Sequence, residues 1–291
     1  MASLKDVKSK IGGVKKTAQI TSAMNMVAAS KLRGCQSRME KFRPYAAKFN
    51  QAMGNLSSGM DQAQFPLMEA RAVRTVELVV VTSDRGLCGS FNANIISMAE
   101  KLIKKHQAEG KKVSLVCIGK KAISKLKKSG LMRKQYADIM GTFQMYNART
   151  IAQDVAENFL AGDADQVQLL YGKFFSVGVQ RPTTVALLPI QPAAGEGEQG
   201  PVKTAGDYLY EPSPEQIMEV LQPLYLNVMV YSTMLEVSAG ENAARMTSMD
   251  NATKACKDMI HSLTLVYNKV RQSSITAELM DIVGGAEALK G

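Results

Sequence analysis

A three-four alternation of apolar side chains runs almost unbroken through the first 56 residues of this chain. It passes Leu4, Val7, Ile11, Val14, Ala18, Thr21, Asn25, Ala28, Leu32, Cys35, Met39, Phe42, Ala46, Phe49, Met53 and Leu56, and only Thr21 and Asn25 are not apolar. A seam sustained over about seven heptads belongs to a coiled-coil helix, because globular-core helices are usually much shorter. At 1.5 Å per residue it is roughly 80 Å long, more than a single domain of this size encloses. Another helix must cover it.

That helix starts near Ser213. Ser213-Pro214-Glu215-Gln216 carries Ser at the N-cap, Pro at the first helical position and Gln three residues after the cap. Ile217, Leu221, Leu224, Val228, Tyr231 and Leu235 keep the spacing, which slips near Ala239 and Ala243. It resumes as Met246, Met249, Thr253, Cys256, Ile260, Leu263, Tyr267 and Val270. Such a slip is a stutter that locally unwinds a supercoil. Pro223 and Gly240 predict a bent or compliant stretch, and Gly284-Gly285 a C-terminal stop. Helices from opposite ends of one chain most simply pair antiparallel.

Between them the pattern changes. Val76–Thr82 and Val113–Ile118 are nearly continuous aliphatic runs, as in strands buried on both faces. Helical patterns fall at Ala93–His106, Lys120–Lys128 and Ala148–Leu160, and closing strands at Val167–Phe174 and Thr183–Ile190. The expected fold is therefore a Rossmann-like, mostly parallel α/β sheet inserted between the N- and C-terminal helices of a long antiparallel coiled coil. The expected boundaries are 1–57 for the first coiled-coil helix, 75–190 for the α/β domain, 191–212 for a connecting loop and 213–291 for the second helix.

Composition narrows the function. No apolar run reaches the roughly 18 residues needed to span a bilayer. The lysine-rich N-terminus has no apolar h-region, and no Arg- and Ser-rich transit segment is expected. Cys35, Cys88, Cys117 and Cys256 have no CxxC spacing, so reduced thiols and no metal site are expected. The net charge is +10, with eleven Lys and Arg against Asp6 and Glu40 before Gln51, and a second basic run from Lys101 to Lys134. A solvated helix face and an acidic partner both account for that charge. Nucleic acid fits less well: Trp is absent and no stacking platform or DNA-binding motif appears.

Catalytic chemistry finds no foothold. The loop Ser83-Asp84-Arg85-Gly86-Leu87-Cys88-Gly89-Ser90 follows a strand and opens a helix, but it matches neither GxGxxG nor a P-loop. It reads as a tight strand-to-helix turn. His106 and His261 sit in amphipathic helical contexts, and Cys88 has only Arg85 nearby to activate it. The stretch Ile20–Ala29 differs from the rest of its helix, since Met24, Met26 and Val27 lie off the seam. A helix apolar on all sides needs more than one covering surface. Either the intramolecular core widens here, or another protein meets this Met- and Ala-rich surface.

These residues resemble a known family. Ile20-Thr-Ser-Ala-Met-Asn-Met-Val-Ala-Ala-Ser-Lys31, the loop Ser83–Gly89 and the closing Arg271-Gln-Ser-Ser-Ile-Thr-Ala-Glu-Leu-Met-Asp-Ile-Val-Gly-Gly-Ala286 look like the γ subunit of F-type ATP synthase, over the whole chain. The resemblance implies the central rotor shaft inside an α3β3 ring, with the α/β domain as a foot joined to the ε subunit and the membrane c-ring. Proton-driven rotation would then set the nucleotide affinities of the β sites, and this chain would hold no catalytic residue, cofactor, metal or nucleic acid. Carried over by position, Met24 faces the acidic lever of β. Arg245, Gln272, Thr276 and Glu278 touch β or brace the shaft, and Tyr208 lies where the foot approaches the ring. The implied location is peripheral, on the cytoplasmic side of a bacterial cell inner membrane, and the missing cysteine-containing insert speaks against thiol control. A coiled-coil scaffold or chaperone with an α/β head is the alternative.

Overall fold

The computed structural model describes residues 4–57, 64–191, 211 and 213–289. In chain order the elements are α1 (Leu4–Ser57), β1 (Thr75–Val81), α2 (Phe91–Ala108), β2 (Lys112–Ile118) and α3 (Lys120–Leu126), which is followed by a 3₁₀ turn. Then come β3 (Met132–Tyr136), α4 (Met145–Leu160), β4 (Gln166–Ser176), β5 (Val179–Leu188) and α5 (Pro214–Ala288). They divide into two compact units, Ala29–Ala244 and the pair of segments Met1–Ala28 with Arg245–Gly291.

The larger unit is built on a five-stranded sheet of order β3-β2-β1-β4-β5. β1 pairs in parallel with β2 and β4, β2 pairs in parallel with β3, and β4 with β5 forms an antiparallel hairpin. Right-handed crossovers put α2 and α3 on one face, because β1→β2→β3 steps one way, and α4 on the other, because β3→β4 steps back. Leu78, Leu115, Ile118, Leu169 and Leu170 are almost fully buried between these layers. Each stabilises the fold by about 1.5–3 kcal/mol relative to an exposed side chain. The start of β1 is fixed by Asp165, whose Oδ2 accepts from Arg74 N at 2.9 Å and Thr75 N at 2.8 Å.

Residues 29–57 of α1 and 214–244 of α5 complete this unit. Ser213 caps α5 as the sequence predicts, its Oγ accepting from Gln216 N at 3.3 Å. The two helices run antiparallel here, since Cys35 Sγ lies 3.1 Å from Ser238 Oγ while Phe42 and Tyr231 stack edge-on at 5.0 Å. Phe143, ahead of α4, adds a second edge-on contact to Tyr231 at 5.8 Å, so the sheet unit grips the helices through aromatic rings. From Tyr225 to Ala243, α5 is buried around most of its circumference. Gly240 belongs to that packing: a Cβ there would stand 2.9 Å from Phe91 Cε2. The position read from sequence as a weak point is a close contact, where any side chain would press on the Phe91 ring.

The smaller unit is a helix pair. Thr21 Oγ1 lies 2.7 Å from Thr253 Oγ1, and Asn25 Nδ2 donates to Met246 O at 2.8 Å. The register is again antiparallel, and the two seam positions that broke the apolar rule are the ones that hydrogen-bond across it. Seam residues Cys256, Ile260, Leu263, Tyr267 and Val270 are half-buried while their neighbours are exposed. The helix expected to stop at Gly284-Gly285 runs on to Ala288, and neither glycine takes the left-handed conformation that terminates a helix. β3 was not expected at all.

Candidate functional site

The Ser83–Ser90 loop, the one place where a phosphate was weighed, is occupied by its own side chains. Asp84 Oδ1 accepts from Lys120 N at 3.0 Å and Asp138 N at 3.1 Å, and Oδ2 accepts from Met140 N at 2.9 Å. One carboxylate thus ties together the ends of β1, β2 and β3 and caps the first turn of α3. Ser83 N donates to Asn92 Oδ1 at 3.1 Å, and Asn92 Nδ2 donates to Ser83 Oγ at 2.8 Å and Cys88 Sγ at 3.1 Å. Gly119, at φ 92°, closes the turn so tightly that a Cβ would stand 2.2 Å from Thr82 O. The tight-turn reading of this loop matches its geometry.

The densest charge lies elsewhere in the sheet unit. Glu77 of β1 is fully buried and accepts from Arg133 Nε at 2.6 Å and Asn158 Nδ2 at 3.1 Å. Arg133 also forks onto Asp154, with Nη1 donating to Oδ1 at 3.1 Å and Nη2 to Oδ2 at 2.8 Å. Lys134 Nζ reaches Asp154 Oδ1 at 2.9 Å. Burial holds the Glu77 carboxyl above its usual range against the pull of Arg133, whereas the hydrogen bonds of Arg133 and Lys134 outweigh burial and lower Asp154. The cluster staples α4 to β1 and β3. His106 is likewise a packing residue, its Nε2 lying 3.3 Å from Gln168 Oε1, and burial alone pushes the Cys117 thiol up to about 12. Among the described residues no group of His, Cys, Asp and Glu is arranged to hold a metal ion.

The helix-pair unit presents a different surface. Met24 is half-buried, but Ile20, Met26 and Val27 are 60%, 64% and 57% exposed. The intramolecular core does not widen to cover them. Across the register, Arg245 is half-buried next to Met246, whose carbonyl takes the Asn25 hydrogen bond. Further along α5, Gln272, Thr276 and Glu278 are exposed. Thr276 Oγ1 donates to Gln272 O at 2.9 Å and Ser274 Oγ donates to Glu278 Oε1 at 3.3 Å. Around them Ile275, Leu279, Met280, Ile282 and Val283 are all at least half exposed. Tyr208 lies outside the described residues. Met24, Arg245, Gln272, Thr276 and Glu278 therefore share one unit, on a helix pair whose apolar residues extend well beyond its seam. The exposed run at Ile275–Val283 was legible in sequence only as a continuing apolar pattern, since nothing there says that α1 has ended.

The chain thus combines an α/β sheet unit, whose strand-end loop is held by its own carboxylate, with an antiparallel helix pair that exposes apolar side chains. Comparison with known proteins identifies the family. The family model described as ATP synthase matches residues 3–289. The chain is 63% identical over 290 residues to the ATP synthase gamma chain of Desulfotalea psychrophila, covering 100% of both. It is 51% identical to that of Nitratidesulfovibrio vulgaris strain Miyazaki F, again with 100% of both covered. The central stalk and c-ring structure of Tetrahymena thermophila mitochondrial ATP synthase contains a chain with 27% identity and a TM-score of 0.60, covering 80% of this chain and 99% of that one. A chain of the Euglena gracilis mitochondrial ATP synthase matches at 20% identity and a TM-score of 0.67, over 98% and 94%, which supports the fold. The chain belongs to the ATP synthase gamma-chain family.

Proposed function

We propose that this chain is the central rotor shaft of an F1Fo ATP synthase, coupling c-ring rotation to ATP synthesis and hydrolysis at sites carried by the β subunits. The observation that carries this reading is the exposed apolar, Met-rich surface of the helix-pair unit, at Ile20, Met26 and Val27 on α1 and from Ile275 to Val283 on α5. Such a surface is costly in water and is stabilised by an enclosing partner. Met26 and Met280 bring flexible thioether side chains to it, which suits a bearing that meets successive faces of a ring without locking to one.

In this reading the chain is non-catalytic. Met24 faces the acidic β lever, while Arg245, Gln272, Thr276 and Glu278 contact β or brace the shaft near it. Exposed ion pairs contribute only about 0–1 kcal/mol each, so charge guides the contact without trapping one angle. The sheet unit serves as the foot toward ε and the c-ring, and Tyr208 takes part in that contact. No described helix is long and apolar enough to cross a membrane. Association with the cytoplasmic side of the inner membrane would thus come through the Fo ring.

Reconstitution tests this directly. Purified α and β with MgATP should form a stable α3β3 complex with this chain, and multi-site turnover should depend on it. Met24→Lys should lower the ratio of proton pumping to ATP hydrolysis by adding a cation opposite the acidic lever. A chain that neither joins the ring nor changes turnover is a scaffold instead.

A further inference from the structure

Where α5 meets the sheet, two backbones close on one aromatic ring. A Cβ on Gly172 of β4 would stand 2.7 Å from Cε2 and 2.9 Å from Cζ of Phe91. A Cβ on Gly240 of α5 would stand 2.9 Å and 3.3 Å from the same two atoms. The same ring edge therefore lies against bare backbone on a strand and a helix at once. Phe91 opens α2 and is only 6% exposed, so it has no route into solvent. Ile95 Cδ1 and Gln180 Cγ stand 3.3 Å and 3.4 Å from the two added Cβ positions, closing the remaining space.

A second link stands one helical turn away. Glu236 Oε2 accepts from Phe174 N at 3.2 Å, on the part of β4 that has run past its pairing with β1 at Leu170. Residues four apart share a helix face and residues two apart share a strand face. Glu236 and Gly240 thus share a face of α5, and β4 answers them two residues apart, through the Phe174 N–H and through Gly172 against the ring that Gly240 also meets. Contacts between flexible side chains absorb a shear by changing rotamer, whereas a ring against two bare backbones in a close-packed interior has no such freedom.

Building on the rotor reading, we infer that this contact is the joint through which torque passes between the foot sheet and α5, with Phe91 as its positioning residue. The ring fixes the register of helix on strand, and Glu236 prevents α5 from rolling about it. A methyl at either glycine displaces the ring and with it the contact to the other element.

The test uses the whole complex in inverted membrane vesicles, with ATP-driven proton pumping and ATP hydrolysis measured on one preparation. Gly240→Ala should lower the ratio of pumping to hydrolysis by between about twofold and thirtyfold, the span typical of mutations within a coupling network. Hydrolysis by the detached α3β3-plus-shaft complex should stay at the native rate, because the proposed β contacts lie in the other unit. Phe91→Leu removes the ring edge and should act in the same direction with a smaller loss. Combining the two should recover part of the ratio, since the shorter side chain leaves room for the methyl. An unchanged ratio in assembled Gly240→Ala overturns the inference, and so does a double variant no better than Gly240→Ala alone. Where Gly240→Ala does not assemble, Phe91→Leu decides by the same ratio. Failure of the rotor reading is separate and appears as a native chain that does not join α3β3.

Discussion

The two halves of α5 are one continuous helix in two environments. Between Tyr225 and Ala243 it is buried around most of its circumference, with Met234, Leu235, Val237 and Ala239 at 1% exposure or less. Beyond Arg245 only a narrow seam is covered, and side chains such as Leu265 at 59% and Met280 at 67% stand open. What separates the halves is how many sides of the helix are covered. The first half is held by packing on several sides, where each buried side chain contributes about 1.5–3 kcal/mol. The second has one partner helix and keeps its remaining apolar surface for whatever encloses it.

The sharpest way to break this comparison is to truncate matched leucines and follow urea denaturation of the chain. Leu235→Ala should destabilise by about 2–5 kcal/mol, whereas Leu263→Ala in the half-buried seam should lose clearly less. Equal losses would mean that the halves are packed alike. A pH comparison sharpens the account of the sheet unit. Burial raises the Glu77 carboxyl above its ordinary 4.5, so the folded state holds that proton more tightly than the unfolded chain. The stability linked to Glu77 is fully present below about pH 4.5 and is lost as pH rises through the folded value. Glu77→Gln, which stays neutral, should therefore gain stability relative to the native chain as pH climbs through that window. A constant difference between the two proteins from pH 4 to pH 8 would refute the assignment.

Smaller effects test the helix pair. Thr21→Val and Thr253→Val should each destabilise modestly, and a double-mutant cycle should return about 0.5–1.5 kcal/mol of coupling for their shared hydrogen bond. Zero coupling would mean that each hydroxyl is satisfied by its own helix, through Ala18 O and Met249 O. Smallest of all, Leu265→Ala should change stability by no more than about 0.5 kcal/mol. A loss above about 1 kcal/mol would place Leu265 in a core that the exposed surface does not show.

The helix pair was legible because a seam is written locally. Every α1 position picked out by the three-four spacing is buried or half-buried. The buried strands β1 and β2 were equally plain, as unbroken aliphatic runs. β3 escaped because Met-Arg-Lys-Gln-Tyr is a short, charged edge strand with no apolar signature. β5 begins at Val179, earlier than its sequence suggests, because Pro182 interrupts the pattern and an edge position tolerates it. Gly240 misled for a different reason. Propensity counts what a glycine costs its own helix, and nothing nearby in sequence announces a phenylalanine from α2. For the candidate site, the apolar excess at Ile20–Ala29 was visible, but the exposure of Met26 and Val27 depends on where the partner helix lies.

One carboxylate has a consequence for life inside an ATP-handling machine. Sheets of this order commonly receive nucleotides at the carboxyl ends of their strands. Asp84 sets an internal anion over the carboxyl ends of β2 and β3, where its oxygens already hold the backbone N–H groups of Lys120, Asp138 and Met140. An incoming phosphate would meet both a like charge and donors already engaged. That end of the sheet is thereby a poor landing place for the phosphates of a nucleotide.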